Sequence, residues 1–213
     1  MKVTVPNLIH AAGLSAVLAG AMFAAILPIN PPDVFASVNT SSFILITSLK
    51  TAMSIFGLLG ITGLYARQVE KTGWLGLAGY LLLTIFFALQ MCFSFIEPTI
   101  LPLLTSMAPA FVESTLAMRS GAVGSMNLGA LATAYSLTSI LFILGLLLFG
   151  IATFRARILP RWGAALLALS GPLAGIMFGL LPNQLDQLTA IPTGVALAWL
   201  GFALFFERRA PAS

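Results

Sequence analysis

Ser42-Phe-Ile-Leu-Ile-Thr-Ser-Leu-Lys50-Thr-Ala-Met-Ser-Ile-Phe-Gly-Leu-Leu-Gly60 is an apolar run broken by one charge. Extended to 43–65, it is long enough to cross a bilayer, which takes ~20 residues as a helix. Lys50 is the only formally charged residue inside any such run of this chain. A charge in hydrocarbon costs roughly 2.5–3.5 kcal/mol on insertion scales, so it is a functional candidate by default.

The rest of the chain has the same character. Of its 213 residues, 59% are hydrophobic and only 8% charged, with mean hydropathy +1.04. Soluble domains carry about 25% charged residues. The composition predicts an all-α, polytopic membrane protein forming a single transmembrane domain over 1–213. Continuous rather than alternating apolar runs argue against a β-barrel. The net charge of +4 and pI of 9.7 do not indicate nucleic acid, because no basic cluster is interleaved with aromatics. Cys92 is the only cysteine. It allows no intrachain disulfide and no cysteine-cluster metal site, and reads as a small buried hydrophobe.

Six runs emerge, at about 7–27, 43–65, 73–96, 128–154, 162–182 and 190–206. Pro28, Pro98 and Pro182 are expected to end the first, third and fifth. The first run is too long for the 7–15-residue core of a signal peptide and is read as a retained helix. Lys2, Arg67, Lys71, Arg155, Arg157, Arg161, Arg208 and Arg209 then share one side. The other side holds Arg119 with Asp33, Glu97, Glu113 and Asp186. The excess of basic residues predicts a multi-pass protein of the cell (inner) membrane with both termini cytoplasmic. The outer loop 97–127 keeps apolar stretches and is expected to contain short helices.

Three inward helix exits are similar: Gly60-Ile-Thr-Gly-Leu-Tyr-Ala-Arg67, Gly150-Ile-Ala-Thr-Phe-Arg-Ala-Arg157 and Gly201-Phe-Ala-Leu-Phe-Phe-Glu-Arg208. They suggest three repeated hairpins, or convergence on arginine and interfacial aromatics at each exit. The wording of the inner turns, Leu64-Tyr-Ala-Arg-Gln68, Gly73-Trp-Leu-Gly76 and Ala156-Arg-Ile-Leu-Pro-Arg-Trp162, resembles that of uncharacterised bacterial six-helix integral membrane proteins. The resemblance implies the architecture and no activity.

Small residues recur at helical spacing. Gly171, Gly175 and Gly179 form a stripe that permits close helix packing, as do Ala12, Ala16 and Gly20. Gly57, Gly60 and Gly63, and Gly73, Gly76 and Gly79, are spaced by three and are read in the same way.

Polar residues also share faces. Thr47, Lys50, Thr51 and Ser54 follow i, i+3, i+4, i+7. Gln90, Ser94 and Glu97 do so on the next helix, and Asn127, Tyr135 and Thr138 on the fourth. A hairpin centred near residue 69 or 70 sets Lys50 level with Leu89 and Gln90. Glu97 then lies about 11 Å further out at 1.5 Å per residue. The two side chains lean toward each other, which predicts a Lys50–Glu97 ion pair or water bridge. The expected site is an outward-facing polar pocket between the second, third and fourth helices. Its candidate ligand-binding residues are Lys50, Glu97, Gln90, Thr47, Thr51, Ser54, Ser94, Asn127 and Tyr135. The alternative to this pocket is that Lys50 snorkels to the outer interface and that the hydroxyls and Gln90 bond between helices.

Catalytic chemistry is not indicated. His10 is the only histidine and lies at the opposite end from most polar groups. No carboxylate–histidine cluster, phosphate loop or dinucleotide fingerprint appears, so no cofactor, metal site or enzymatic role is expected. The expected partners are the lipid bilayer and a small anionic or amphiphilic ligand, bound or transported. The alternative is a structural or accessory subunit within a homo- or hetero-oligomer, and a membrane enzyme ranks third.

Overall fold

The computed structural model describes residues 4–177, 180 and 186–206. Within them the protein is all-α, with seven α-helices. These are α1 (Val5–Ile26), α2 (Ser41–Thr99), α3 (Leu101–Met107), α4 (Pro109–Arg119), α5 (Ala130–Ala156), α6 (Arg161–Met177) and α7 (Ala190–Phe205). Among the described residues, four helices are long and apolar enough to cross a membrane, and the chain is a candidate multi-span membrane protein. Helices suit that setting because they satisfy their backbone hydrogen bonds internally.

The second and third expected runs, 43–65 and 73–96, belong to one helical stretch of 59 residues. The expected inner turn at 66–72 is itself helical, and the chain reverses at Gly73. Gly73 has φ 56° and ψ −156°, a region essentially reserved for glycine. A Cβ added there would meet nothing within 4 Å. Gly73 therefore serves the turn rather than the helix packing read from its spacing. The limbs 41–72 and 74–99 run back along each other, with Tyr65 stacked on Tyr80 at 4.5 Å and Gly57 against the Phe87 ring.

The remaining boundaries shift modestly. Pro28 lies in a 3-10 turn just after α1, while Pro98 sits inside the last turn of α2. Pro182 and Gly179 lie outside the described residues, as do Arg208 and Arg209. The outer loop forms the short helices α3 and α4. Cys92 is exposed rather than buried.

Glycine decides how closely the helices approach. A Cβ at Gly20 would lie 2.4 Å from both the Ala198 nitrogen and the Gly194 oxygen of α7. One at Gly60 would meet the Ala16 backbone of α1, and one at Gly79 the Phe149 backbone of α5. Gly150 faces Ala168, and Gly171 and Gly175 face Ile143, across the α5–α6 seam. Backbones this close gain dispersion contacts that lipid does not replace. The helices thus form a closed ring in chain order, with α7 returning against α1.

Two cores result. The larger fills the ring and includes Phe23, Phe86, Phe87, Leu146 and Phe149. The smaller joins Val38, Phe43, Leu101, Val112 and Leu116, and ties α3 and α4 to the start of α2 as a cap.

Candidate functional site

A cavity of about 460 Å³ opens inside the ring at the capped end. Its walls come from α1, both limbs of α2, α5, α6 and the turn before α7. The site is therefore central, and wider than the expected pocket between three helices. The reason is the ring closure, which brings Phe23 and Ala174 to the same space as Lys50.

Lys50 reaches this cavity from the first limb of α2. Its residue exposure is 4%, so the helix stem is enclosed. Among the described residues its amine makes no ion pair or hydrogen bond. Gln90 and Tyr135 line the same cavity. Gln90 donates from Nε2 to Ser94 Oγ at 3.1 Å. Thr138 lines it as well, and sequence reasoning passed over Asn30, Ser139, Gln187 and Thr189, which add to the polar lining. They sit in connections or on a face whose role appears only once the ring closes.

The other hydroxyls of the expected site are occupied within their own helix. Thr47 Oγ1 donates to the Phe43 carbonyl at 2.6 Å, and Ser54 Oγ to the Lys50 carbonyl at 2.9 Å. Thr51 does the same toward Thr47 at 3.4 Å. Such back-bonding satisfies a hydroxyl in an apolar setting. Thr47, Thr51 and Ser54 support the wall without lining the cavity. Asn127 caps a turn by accepting from the Gly129 N–H at 2.8 Å, away from the site.

The expected Lys50–Glu97 pair is not formed. Glu97 Oε1 instead meets Arg119 Nη1, and Arg119 Nη2 reaches Asp33 Oδ1 at 3.3 Å. The physical reason is geometric. Arg119 ends α4, and its planar fork can engage two carboxylates at once. The hairpin turns near 72–73 rather than 69–70, which brings Glu97 nearer the level of Lys50 than expected, so it is the competing Arg119 and not the register that removes the pair. The Arg119 and Glu97 side chains are 9% and 7% exposed, so this is a buried pair. Burial alone would lower the Arg119 pKa, but Glu97 and then Asp33 outweigh it and raise it above its ordinary value. The guanidinium therefore stays charged.

The cap-side wall of Arg119 borders a second cavity of about 270 Å³, lined mainly by apolar residues such as Phe93, Leu104, Phe111 and Leu131. Tyr135 faces both cavities, so it stands between them.

The chain matches no protein-family model, no curated protein and no solved structure.

Function must therefore be argued from the site itself. Its chemistry is an enclosed cation at the edge of a largely apolar space, beside a cluster of one guanidinium and two carboxylates that keeps one net negative charge. Arg119 carries the cluster and was missed as a site residue. The available signal was its isolation as the one outer basic residue among Asp33, Glu97, Glu113 and Asp186.

Proposed function

We propose that this chain is a six-crossing membrane protein, with both termini cytoplasmic, that binds a small anionic ligand in the central cavity. The observation carrying the reading is Lys50. A buried ammonium without a partner among the described residues is costly, and here it borders a space of ligand size. Small-molecule sites typically span ~300–1,000 Å³, with few polar groups in an apolar lining. Lys50 fits the role of the charge that a ligand completes.

The orientation rests on basic residues and interfacial tryptophans. Trp74 and Trp162 are 85% and 76% exposed. They flank the Gly73 reversal and the connection after Ala156, where the arginine-rich turns would meet the cytoplasmic interface. This orientation opens the cavity toward the outer face. In a Cys92→Ala background, a cysteine placed at Glu70 should react with a membrane-impermeant maleimide only after the cells are broken. Reaction in intact cells would reverse the assignment.

The cavity favours binding over a purely structural role. Binding is also favoured over catalysis, because no histidine or carboxylate stands among the described lining residues as a base for its hydroxyls. Native mass spectrometry of gently extracted protein tests the reading. The wild type should retain a small anion that Lys50→Met loses. Equal retention by both proteins would remove Lys50 as the anchor.

A further inference from the structure

We infer that the cavity selects a monoanion with a flat apolar body, of the class of aromatic monocarboxylates. This rests on the binding role proposed above and adds the identity of the ligand class. Two features of the lining carry it.

The first is a count of charges. Among the described residues, the buried or partly buried charges at the capped end are Asp33, Lys50, Glu97 and Arg119, and they sum to zero, Lys50 balancing the one negative charge that Arg119 leaves over. Arg119 engages both carboxylates. Lys50 is the one charged residue that lines the cavity among the described residues. A single negative charge on a ligand would sit directly against this amine. A second would remain enclosed without a counter-charge, which is strongly unfavourable away from water. Hydrogen-bond donors are available beside the amine. Tyr135 and Ser139 lie one turn apart on α5 and line the cavity. No hydrogen bond from either side chain is formed among the described residues. A carboxylate offers two oxygens with several lone pairs, enough to accept from the amine and from a hydroxyl together.

The second feature is the shape and chemistry of the remainder. Phe23, Phe86 and Phe142 line the cavity, with Phe142 against each of the other two. The Phe23 and Phe142 rings are nearly parallel, 2° apart with centroids at 6.2 Å. Phe86 leans against Phe142 at 4.8 Å and 42°. Met53 and Ile143 extend the same surface. Ring faces and edges reward a flat aromatic partner beyond simple area burial. Free phosphate would bring extra charge and no apolar body to meet these rings.

Isothermal titration of the full-length protein in detergent tests the inference with defined probes. These are 2-naphthoate, 2-naphthamide as the neutral body, naphthalene-2,6-dicarboxylate as the dianion, and acetate as the anion without the body. Naphthoate should bind at least roughly tenfold more tightly than each of the others, tenfold being the separation worth about 1.4 kcal/mol. Lys50→Met should bring naphthoate down to the level of naphthamide. Phe142→Leu, which keeps an apolar side chain there, should weaken naphthoate and naphthamide together and leave acetate unchanged.

Other outcomes overturn the idea in different places. Acetate or the dicarboxylate binding as tightly as naphthoate, with all binding lost in Lys50→Met, would keep the anion site and remove the aromatic monoanion. Naphthamide binding as well as naphthoate would remove the charge requirement. Naphthoate binding wild type and Lys50→Met equally, or binding neither, would remove the role of Lys50 and with it the reading beneath.

Discussion

Replacing Arg119 with methionine is expected to lower the stability of this protein by about 3–5 kcal/mol, the usual cost of removing one partner from a buried ion pair. Methionine keeps much of the side-chain length and the packing against the cap. What it removes is the only positive charge that engages Glu97 and Asp33 among the described residues. Glu97 is 5% exposed, and its Oε2 already lacks a hydrogen-bond partner. Stripped of the guanidinium, it would be an enclosed anion. The cap should loosen first, because Arg119 links α4 both to the end of α2 and to the connection that follows α1. Thermal unfolding in one detergent measures the effect. Adding Glu97→Gln and Asp33→Asn to Arg119→Met should recover most of the loss, since neutral amides need no counter-charge. If the triple variant is no more stable than Arg119→Met alone, the loss comes from packing and the electrostatic explanation is wrong.

The contrast between Arg119 and Lys50 shows how far the sequence could be read. Helix positions were legible because hydrocarbon demands long apolar runs, and such runs are visible without tertiary information. Gly20 and Gly171 were legible as packing positions because a helix repeats its faces every three or four residues. Gly73 was not, since a glycine at the same spacing can either pack or turn, and only the backbone angles separate the two. Lys50 stood out as a charge in the wrong solvent. Its partner did not, because pairing depends on which loop residue folds over which helix end. Arg119 reaches Glu97 from 22 positions along the chain only after α3 and α4 fold back. Likewise the hydroxyls of Thr47 and Ser54 looked like pocket lining from their spacing. The competing bond to their own helix is a local choice that spacing does not reveal.

Lys50→Met is expected to act in the opposite sense from Arg119→Met. The ligand-free variant should be more stable than the wild type, by about 1–3 kcal/mol, as the cost of holding an ammonium in an apolar setting disappears. Asp33 and Glu97 offset only part of that cost, because Arg119 engages both and balances one of their two charges. Methionine has a similar reach and would lie against Met53 and Phe86 along the cavity wall. A residue kept at the expense of stability is the usual mark of a functional site. A lysine retained for the fold would behave differently, since its loss would leave a broken contact behind.

Whether Lys50 serves a ligand or the fold is decided most directly by one comparison. It is the unfolding of ligand-free wild type and Lys50→Met, purified in the same detergent and melted side by side. A higher melting temperature for Lys50→Met is the expected result and marks the amine as held for a ligand. A variant less stable than the wild type by more than about 1 kcal/mol, the scale of an ordinary hydrogen bond, would contradict it and make Lys50 part of the scaffold.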